Sequence, residues 1–258
     1  MTRIAIDAMG GDFAPAAIVD GAVWAAIDYN VPIELVGKED AIKAELERIS
    51  KKGINSNRGG YYTHRLKVDL STLDIKITNA EEVIEMGEAV GQAIRKKRKS
   101  SIVLAVDAVA KGSSDAVVAA GSTGAAMASS LFGLGRLPGI ERPAIALTLP
   151  TIKRPFLLLD AGANSSCTPE MLYQFALMGT TFVKNVYGYE NPKVGVLNIG
   201  EEAGKGNELV QKTYKMLEEN QDGMNFIGNV EGKEIFKGAC DVIVCDGFVG
   251  NVALKTVE

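Results

Sequence analysis

Small and polar residues follow six predicted strands, and they are the chain's best candidates for binding chemistry. Each segment combines glycine with aspartate, asparagine or a hydroxyl side chain where a short apolar run ends. The carboxyl ends of parallel strands lie at one edge of an open sheet, where ligands bind, so we expect one common cleft. The segments are Asp7–Asp12, Gly121–Gly124, Asp160–Asn164, Asn198–Glu202, Asn229–Gly232 and Asp246–Asn251.

The glycine-containing turns suit an anion. Glycine lets the backbone approach a ligand closely, and a helix that begins after the turn presents free N–H groups and the positive end of its dipole. We expect Gly10–Gly11 and Gly121–Gly124 to bind phosphate, with hydroxyl groups added by Ser122 and Thr123. A purely structural role, in tight turns and helix capping, is the alternative. Neither segment has a standard nucleotide-binding motif, so ATP and NAD lose support.

A charged loop between glycines is a second candidate. Glu201, Glu202 and Lys205 lie between Gly200 and Gly206. Lys205 is expected to fold over a bound anion and offset its charge. A solvated charged loop is the alternative.

Aspartates at strand ends raise the question of a divalent metal, because hard cations prefer carboxylates. Asp7, Asp12, Asp160 and Asp246 hold such positions. Neutral donors and glycines accompany each one, and an aspartate at a strand end often only caps the next helix. The sequence therefore predicts no metal and no cofactor.

Covalent catalysis has little support in the sequence. Cys167 lies just before a predicted helix, whose dipole favours the thiolate. No histidine is near it in sequence, so packing is the expected role. His64 is the single histidine and lies in a polar stretch, where we expect a solvated loop residue. One histidine excludes a two-histidine zinc site, and a Ser-His-Asp triad would have to use His64.

Strands and helices must position these residues, and their alternation along the chain predicts an α/β protein. We expect an open, mostly parallel sheet with helices on both faces, in a single domain over residues 1–258. A helix over Glu81–Lys99 has acidic residues at its start and basic residues at its end, and Thr168 with Pro169 opens another helix. Residues 51–72 are predicted to be a polar insertion or loop. Strands are predicted at Ile4–Ile6, Ile33–Val36, Ile75–Ile77, Ala116–Ala120, Ala144–Leu147, Phe156–Leu159, Val194–Leu197, Asn225–Ile227 and Val242–Val244.

Composition excludes several classes of protein. The chain has 258 residues, 47% of them hydrophobic and 23% charged, which is typical of a globular protein. A net charge of -4 disfavours nucleic acid as a partner. Three cysteines form no disulfide framework and indicate a reducing cytoplasm. No signal peptide or membrane span is predicted. The last residues resemble the start of a helix, so we expect the chain to be truncated at its C-terminus.

The strand-end segments, taken in order, resemble the PlsX family of phosphate acyltransferases of bacterial phospholipid synthesis. The resemblance covers almost the whole chain. It lies in Ile4–Asp12, Ser122–Ala125, Arg142–Ala144, Asp160–Asn164, Asn198–Gly206, Gly228–Gly232 and Asp241–Asn251.

The resemblance implies an enzyme that transfers a fatty acyl group from acyl carrier protein to inorganic phosphate, giving acyl phosphate. It also implies a homodimer, a fold similar to that of the isopropylmalate dehydrogenase group, and a cytoplasmic location with peripheral contact at the inner face of the membrane. Further helices would follow Glu258 and help in that contact. Two alternatives remain: a metal- and NAD-dependent decarboxylating dehydrogenase of similar fold, and a non-catalytic regulator that binds phosphate or acyl carrier protein.

Roles for the candidate residues follow from this reaction, in which phosphate itself is the nucleophile. The catalytic residues would be Asn229 and Lys205, with Asp246 or Glu231 as proton acceptor. Asn164, Asn229 and Asn251 would orient phosphate or donate to the oxyanion, and the two glycine turns and Lys205 would hold phosphate. The predicted substrate-binding residues are Asp7, Gly10, Gly11, Asp12, Gly121, Ser122, Thr123, Gly124, Asn164, Glu201 and Asn251.

The basic run Arg95–Lys99 suggests a further role. Five bases together on an acidic protein are expected to dock the acidic carrier protein. Complementing the helix dipole is the alternative explanation.

Overall fold

The computed structural model describes residues 2–56 and 64–257, and the chain divides into two compact units. Unit 1 is Met1–Gly135 and unit 2 is Arg136–Glu258. The α/β class is confirmed, but the strands lie in two main sheets where the sequence predicts one sheet and one domain. Residues 134–146 carry neither helix nor strand and contain glycines and prolines, which are common at such boundaries.

Unit 1 is built on a parallel sheet in the order β5-β2-β1-β6, beside a short antiparallel pair, β3 and β4. Because β1 and β6 are parallel neighbours, their carboxyl ends lie side by side. The strands are β1 (Ile4–Asp7), β2 (Ile33–Gly37), β3 (Ile54–Ser56), β4 (His64–Leu66), β5 (Ile75–Asn79) and β6 (Ala116–Ala119). The helices are α1 (Ala16–Tyr29), α2 (Glu39–Lys52), α3 (Val90–Lys96), α4 (Ser101–Ala110) and α5 (Thr123–Gly133).

The core of unit 1 surrounds β2, which is buried along its whole length, as is usual in a parallel sheet covered on both faces. One charged side chain lies in this strand. The Glu34 carboxylate accepts hydrogen bonds from Lys76 Nζ at 2.9 Å, Thr78 Oγ1 at 2.6 Å and Ser114 Oγ at 2.9 Å. Burial alone would raise the pKa of Glu34, but these bonds outweigh it and lower the pKa.

Unit 2 is built on a five-stranded sheet in the order β10-β9-β11-β8-β7. Only β7, at one edge, runs antiparallel to its neighbour, so four strands present their carboxyl ends at the same edge. The strands are β7 (Leu147–Leu149), β8 (Phe156–Leu159), β9 (Lys193–Asn198), β10 (Asn225–Glu231) and β11 (Val242–Val244). The helices are α6 (Pro169–Tyr187), α7 (Glu208–Glu219) and α8 (Gly247–Val257).

The core of unit 2 is formed by α6 against the sheet. Leu172, Phe175 and Ala176 are fully buried at helical spacing and pack on side chains of β8 and β11. As predicted, Thr168 caps this helix, because its side chain accepts a hydrogen bond from the backbone N–H of Met171 at 3.3 Å.

Two local predictions differ from the structure. The helix expected over Glu81–Lys99 begins only at Val90, because the Glu88 carboxylate bonds the backbone N–H of Glu85 at 2.8 Å and pairs with Lys97. The segment 51–72 contains the end of α2, β3, β4 and a 3₁₀ turn rather than a single loop, although its residues 57–63 lie outside the described residues. The predicted loop residue His64 is in β4, and its side chain lies outside the described part of the chain.

Among the described residues, no helix is long and apolar enough to span a bilayer.

Candidate functional site

The turns after β1 and β6 meet in unit 1, as predicted. A Cβ placed on Gly10 would lie 2.9 Å from the backbone nitrogen of Gly121, and one on Gly121 would lie 3.0 Å from Cα of Gly10. Such distances are too short for real side chains, so the two backbones can approach only because both residues are glycine. This close approach places two glycine-containing turns at one edge of the sheet.

The buried Asp7 side chain stabilises the turn after β1 by hydrogen bonding. The side chain is buried, and its Oδ1 accepts a hydrogen bond from the backbone N–H of Met9 at 3.2 Å. Burial raises the pKa of Asp7, against the opposing effect of hydrogen bonds from Ser101, Met9 and Gly10. The structure therefore gives Asp7 a structural task, whereas Asp12, five residues later, is exposed.

The second turn leads directly into α5. Ser122 is the N-cap of this helix, and its Oγ accepts a hydrogen bond from the backbone N–H of Ala125 at 3.3 Å. The capping alternative is thus confirmed for Ser122. Thr123, the first residue of the helix, is exposed. Among the described residues, the Ser122 hydroxyl donates no hydrogen bond and the Thr123 hydroxyl forms none, so both can donate to a ligand.

In unit 2, the Asp160 carboxylate organises the turn after β8. Asp160 is fully buried, and five N–H groups donate to it. Oδ1 accepts from the backbone nitrogens of Ile145 at 2.9 Å, Gly162 at 3.2 Å and Ala163 at 3.0 Å. Oδ2 accepts from the backbone nitrogen and the Nδ2 of Asn164, at 2.7 and 2.8 Å. Because its acceptor positions are occupied by protein N–H groups, Asp160 is structural and not a metal ligand.

The same network engages Asn164. Its Nδ2 donates to Asp160 and, at 2.8 Å, to the carbonyl oxygen of Pro143, which uses both amide hydrogens. The predicted donation from Asn164 to an oxyanion would require one of these bonds to break. Asn164 therefore fixes the turn. Its backbone carbonyl oxygen also accepts a hydrogen bond from the backbone N–H of Gly247 at 2.8 Å.

The amino end of α8 packs directly on this turn. Asp246 caps the helix, since its Oδ1 accepts from the backbone N–H of Val249 at 2.9 Å. A Cβ on Gly250 would overlap the carbonyl oxygen of Asp160, so only glycine fits there. Asn251 is exposed, and its side chain lies against Gly162. Asp246 and Asn251 thus lie at the edge where we expected them.

The loop after β9 carries an unpaired cation. The Lys205 side chain is exposed and passes over Gly200, where a Cβ would lie 3.0 Å from Lys205 Cγ. Its ammonium forms no ion pair with any residue that the structure describes. The loop's backbone is fixed by Asn198, whose Nδ2 donates to the carbonyl oxygen of Lys205 at 3.1 Å. Glu201, also predicted to bind substrate, is exposed in the same loop.

Asn229 is hydrogen-bonded to this loop, but it lies in a strand and not in the predicted turn. The predicted turn at Asn229 is part of β10, which continues to Glu231 after a register shift between Phe226 and Asn229. The Nδ2 of Asn229 donates to the carbonyl oxygen of Glu202 at 2.8 Å. Its Oδ1 is buried and has no hydrogen-bond partner in the described part of the protein. Unsatisfied buried acceptors are rare in proteins and require an explanation.

Two further predicted groups have protein partners. Glu231 forms an ion pair with Lys233 at 2.5 Å. Cys167 donates its thiol to the carbonyl oxygen of Asn164 at 3.5 Å, and burial raises its pKa to about 11. The helix-dipole effect expected at Cys167 is therefore outweighed by desolvation, and the thiol stays protonated at neutral pH. Within residues 2–56 and 64–257, no cluster of three or more His, Cys, Asp and Glu side chains is arranged to hold a metal ion.

Comparison with known proteins identifies the family. The family model described as "Fatty acid synthesis protein" matches residues 2–258. A curated phosphate acyltransferase of Dictyoglomus turgidum is 49% identical over 257 residues, which cover 99% of this chain and 70% of the relative. The chain belongs to the PlsX family. This PlsX-family protein is accordingly an acyltransferase enzyme.

Solved structures show that the fold of this PlsX-family chain occurs elsewhere. EutD phosphotransacetylase from Staphylococcus aureus is similar with a TM-score of 0.66 at 16% identity, over 99% of this chain and 81% of that one. A 4-hydroxythreonine-4-phosphate dehydrogenase from Burkholderia phymatum gives 0.53 at 19% identity, over 100% and 84%. At such low identity the likeness concerns the fold alone, and it confirms the α/β, mostly parallel architecture.

Sequence reasoning missed three groups in the PlsX-family chain. For Asp160 the sequence suggests a metal ligand or a helix cap, although the run of small residues after it is a signal for a turn whose N–H groups point at a carboxylate. Asn198 and Lys233 were not singled out. Asn198 has the same signal as Asn229, an asparagine at a strand end, whereas nothing in the sequence pairs Lys233 with Glu231.

Proposed function

We propose that the protein transfers a fatty acyl group from acyl carrier protein to inorganic phosphate, giving acyl phosphate for phospholipid synthesis. Family membership supports acyl transfer to phosphate. The acyl carrier protein as donor and the role in phospholipid synthesis rest on the resemblance of the strand-end segments and on the chemistry that follows.

The observation that carries the proposal is an ammonium without an ion pair on the loop after β9, together with an unsatisfied acceptor on the strand that is hydrogen-bonded to this loop, both among the described residues. Lys205 offers an ammonium with no ion pair among the described residues, and Asn229 offers a carbonyl oxygen with no donor. Both are joined to the carbonyl oxygen of Glu202, which accepts from Asn229 Nδ2 at 2.8 Å and from the backbone N–H of Lys205 at 3.0 Å. Hydrogen phosphate is an anion that also carries an O–H group, so it can pair with the Lys205 ammonium and donate a hydrogen bond to Asn229 Oδ1.

The reaction balances without a protein nucleophile. An oxygen of hydrogen phosphate attacks the thioester carbon, the C–O bond forms, and the C–S bond breaks. The proton of hydrogen phosphate ends on the departing sulfur, which leaves as the carrier thiol. Asn229 Oδ1 would hold that O–H in place, and Lys205 would offset the phosphate charge. Asp246 or Glu231 would relay the proton, and for Glu231 this requires release from Lys233.

Unit 1 has backbone donors of its own. We assign the N–H groups of Gly10–Gly11 and Gly121–Gly124 to an anionic group of a substrate, with the Ser122 and Thr123 hydroxyls as further donors. Asp12 and Glu201, in loops, and Asn251, near the start of α8, are exposed and would contact substrate. Asn164 and Asp7 would position backbone groups.

The proposal extends to assembly and location. We expect a homodimer that resides in the cytoplasm and touches the inner face of the membrane, with a fold of the isopropylmalate dehydrogenase group. These points rest on the family resemblance.

The test is formation of acyl phosphate, trapped with hydroxylamine, from acyl carrier protein loaded with a fatty acyl group plus inorganic phosphate. Acyl hydroxamate should form only when both substrates are present. Asn229→Ala should lower kcat/KM for phosphate about 10- to 100-fold, because a hydrogen bond to a charged group contributes about 1.5–3 kcal/mol. Asn185→Ala is the control, since Asn185 is exposed and bonds only within α6.

Two results would overturn the proposal. One is the absence of hydroxamate with every acyl chain length tested. The other is a nicotinamide absorbance change that depends on a divalent ion, which would favour the dehydrogenase instead.

A further inference from the structure

Unit 1 contains an open groove that the proposed chemistry does not use. It lies among α3, α4 and α5 and has a volume of about 460 Å³. Ile94, Val103 and Phe132 supply apolar lining, and Arg95 and Arg98 supply the charges. Phe132 is 67% exposed, so its ring is accessible to a partner that enters the groove.

Some basic side chains of the run Arg95–Lys99 form ion pairs, and others do not. Lys97 pairs with Glu88 and donates to the carbonyl oxygen of Val83, and Lys99 pairs with Glu81. Arg95 and Arg98 are exposed and form no ion pair with any residue in the described part of the chain. Among the described residues, the two guanidinium groups that line the groove therefore have no acidic partner; Lys96 also has none, but it lies outside the groove.

The groove's own acidic residue does not neutralise them. Asp107 lines the groove but pairs with Lys111 at 3.1 Å. Ser129 also lines the groove, but it is only 3% exposed and its Oγ is buried, so it adds no charge to the surface. The accessible groups of the groove are an apolar floor and two guanidinium groups without an acidic partner among the described residues, which suit a ligand that carries both apolar and acidic groups.

We propose that this groove docks an acidic amphipathic helix of the acyl carrier protein. That the partner is acyl carrier protein rests on the proposed function. An apolar side chain of the helix would pack between Ile94, Val103 and Phe132, while its carboxylates would pair with Arg95 and Arg98.

Charge decides among the possible occupants. A fatty acyl chain would fill the apolar floor but would leave both guanidinium groups unpaired. A second copy of this chain, with the two-fold axis passing through the groove, would place the same arginines of both copies close together, which is repulsive. An acidic helix satisfies both features at once.

The position of the groove along α5 fits this role. Phe132 follows Thr123, the first residue of α5, by nine residues, which corresponds to about 14 Å along a helix. A carrier docked at the groove would therefore lie on the same helix whose amino end carries the Ser122–Gly124 turn.

Charge reversal of the two arginines tests the proposal. Arg95→Glu with Arg98→Glu should raise KM for acyl-loaded carrier protein at least about tenfold, leave kcat unchanged, and abolish the rise of KM with salt. The control is Lys96→Glu with Lys99→Glu, which changes net charge by the same amount in the same segment without touching the groove. It should change KM by less than about threefold.

Two further measurements separate the occupants. The arginine double variant should bind carrier protein without an acyl group more weakly, as measured by fluorescence anisotropy. Phe132→Ala should weaken this binding about tenfold, whereas Leu137→Ala, at a 74% exposed residue outside the groove, should not. With a small acyl thioester that lacks the carrier, all these variants should form acyl phosphate at the wild-type rate.

The outcomes are distinct. Equal KM for the arginine variant and the wild type, unchanged carrier binding, or a change of oligomeric state on charge reversal would overturn the docking proposal. A loss of rate with the small thioester would assign the groove to the acyl chain and overturn it too. If the wild type forms no acyl phosphate from any thioester, the proposed function fails, and the binding measurement still tests the groove.

Discussion

Asp160→Asn provides the sharpest test of how the turn after β8 is held. In the wild type, three N–H groups donate to Oδ1 and two donate to Oδ2. An asparagine keeps one acceptor oxygen, which in the best orientation takes the place of Oδ1. The amide NH₂ group then faces the two N–H groups of Asn164, donor against donor.

The expected cost follows from those two lost bonds. A hydrogen bond to a charged group contributes about 1.5–3 kcal/mol, so two of them give about 3–6 kcal/mol. The free energy of unfolding of a domain is about 5–15 kcal/mol, so the variant should be strongly destabilised. Asp246→Asn is the matched control, because Asp246 serves as an N-cap and asparagine caps as well as aspartate.

Urea unfolding followed by circular dichroism measures the change in stability, and hydrogen exchange of the Gly162, Ala163 and Asn164 amides reports the turn itself. Should Asp160→Asn fail to fold, Asn164→Ala provides a milder measurement, because it removes only the two Nδ2 bonds. A destabilisation of Asp160→Asn below about 1 kcal/mol, with unchanged exchange, would refute the reasoning.

Three further changes have defined outcomes. Glu34→Gln should lower the free energy of unfolding at pH 7, because a carboxyl whose pKa is lower in the folded state than its ordinary 4.5 stabilises the fold above pH 4.5. The difference from the wild type should vanish as the pH falls below 4.5 and through the lower pKa of the folded state. Equal urea midpoints at pH 7 would contradict this. Cys167→Ser should keep acyl phosphate formation within about twofold of wild type, since a thiol with a pKa of about 11 is no nucleophile at neutral pH; complete inactivation of a folded variant would show otherwise. Gly10→Ala should destabilise by about 1–3 kcal/mol, because its Cβ would lie 2.8 Å from Asp7 Oδ2, whereas Gly21→Ala, which has open space around it, should be neutral or stabilising in the same thermal melt.

Local patterns predicted several strands to within a residue. The apolar runs at β8 and β11 are continuous, and that at β2 is interrupted only by Glu34. The strand predicted at Ala144–Leu147 was less accurate, because β7 is Leu147–Leu149. The cap at Thr168 was equally local, because the hydroxyl, Pro169 and an acidic residue follow one another. Features that depend on neighbouring residues alone are therefore accessible without a structure.

Features that depend on distant residues were not. Whether β1 and β8 share one sheet depends on which strands pair, and alternation of strands and helices does not encode that. The start of α3 was misplaced because the Glu88 carboxylate bonds Lys97, nine residues away, and the backbone of Glu85. The end of β10 was misplaced because pairing with β9 resumes after a register shift, which carries Asn229 into the strand.

The asparagines show how hydrogen bonding distinguishes residues that sequence treats alike. Asn164, Asn229 and Asn251 have the same amide, and the sequence places all three in segments after predicted strands, so it predicts for each a contact with phosphate or with the oxyanion. In the structure, both amide hydrogens of Asn164 serve the protein, which leaves none to donate. Asn229 also donates to the protein, but its buried Oδ1 is unsatisfied. A satisfied amide stabilises the frame, whereas a buried unsatisfied one is costly unless a ligand completes it, and for that reason Asn229 is the strongest candidate of the three.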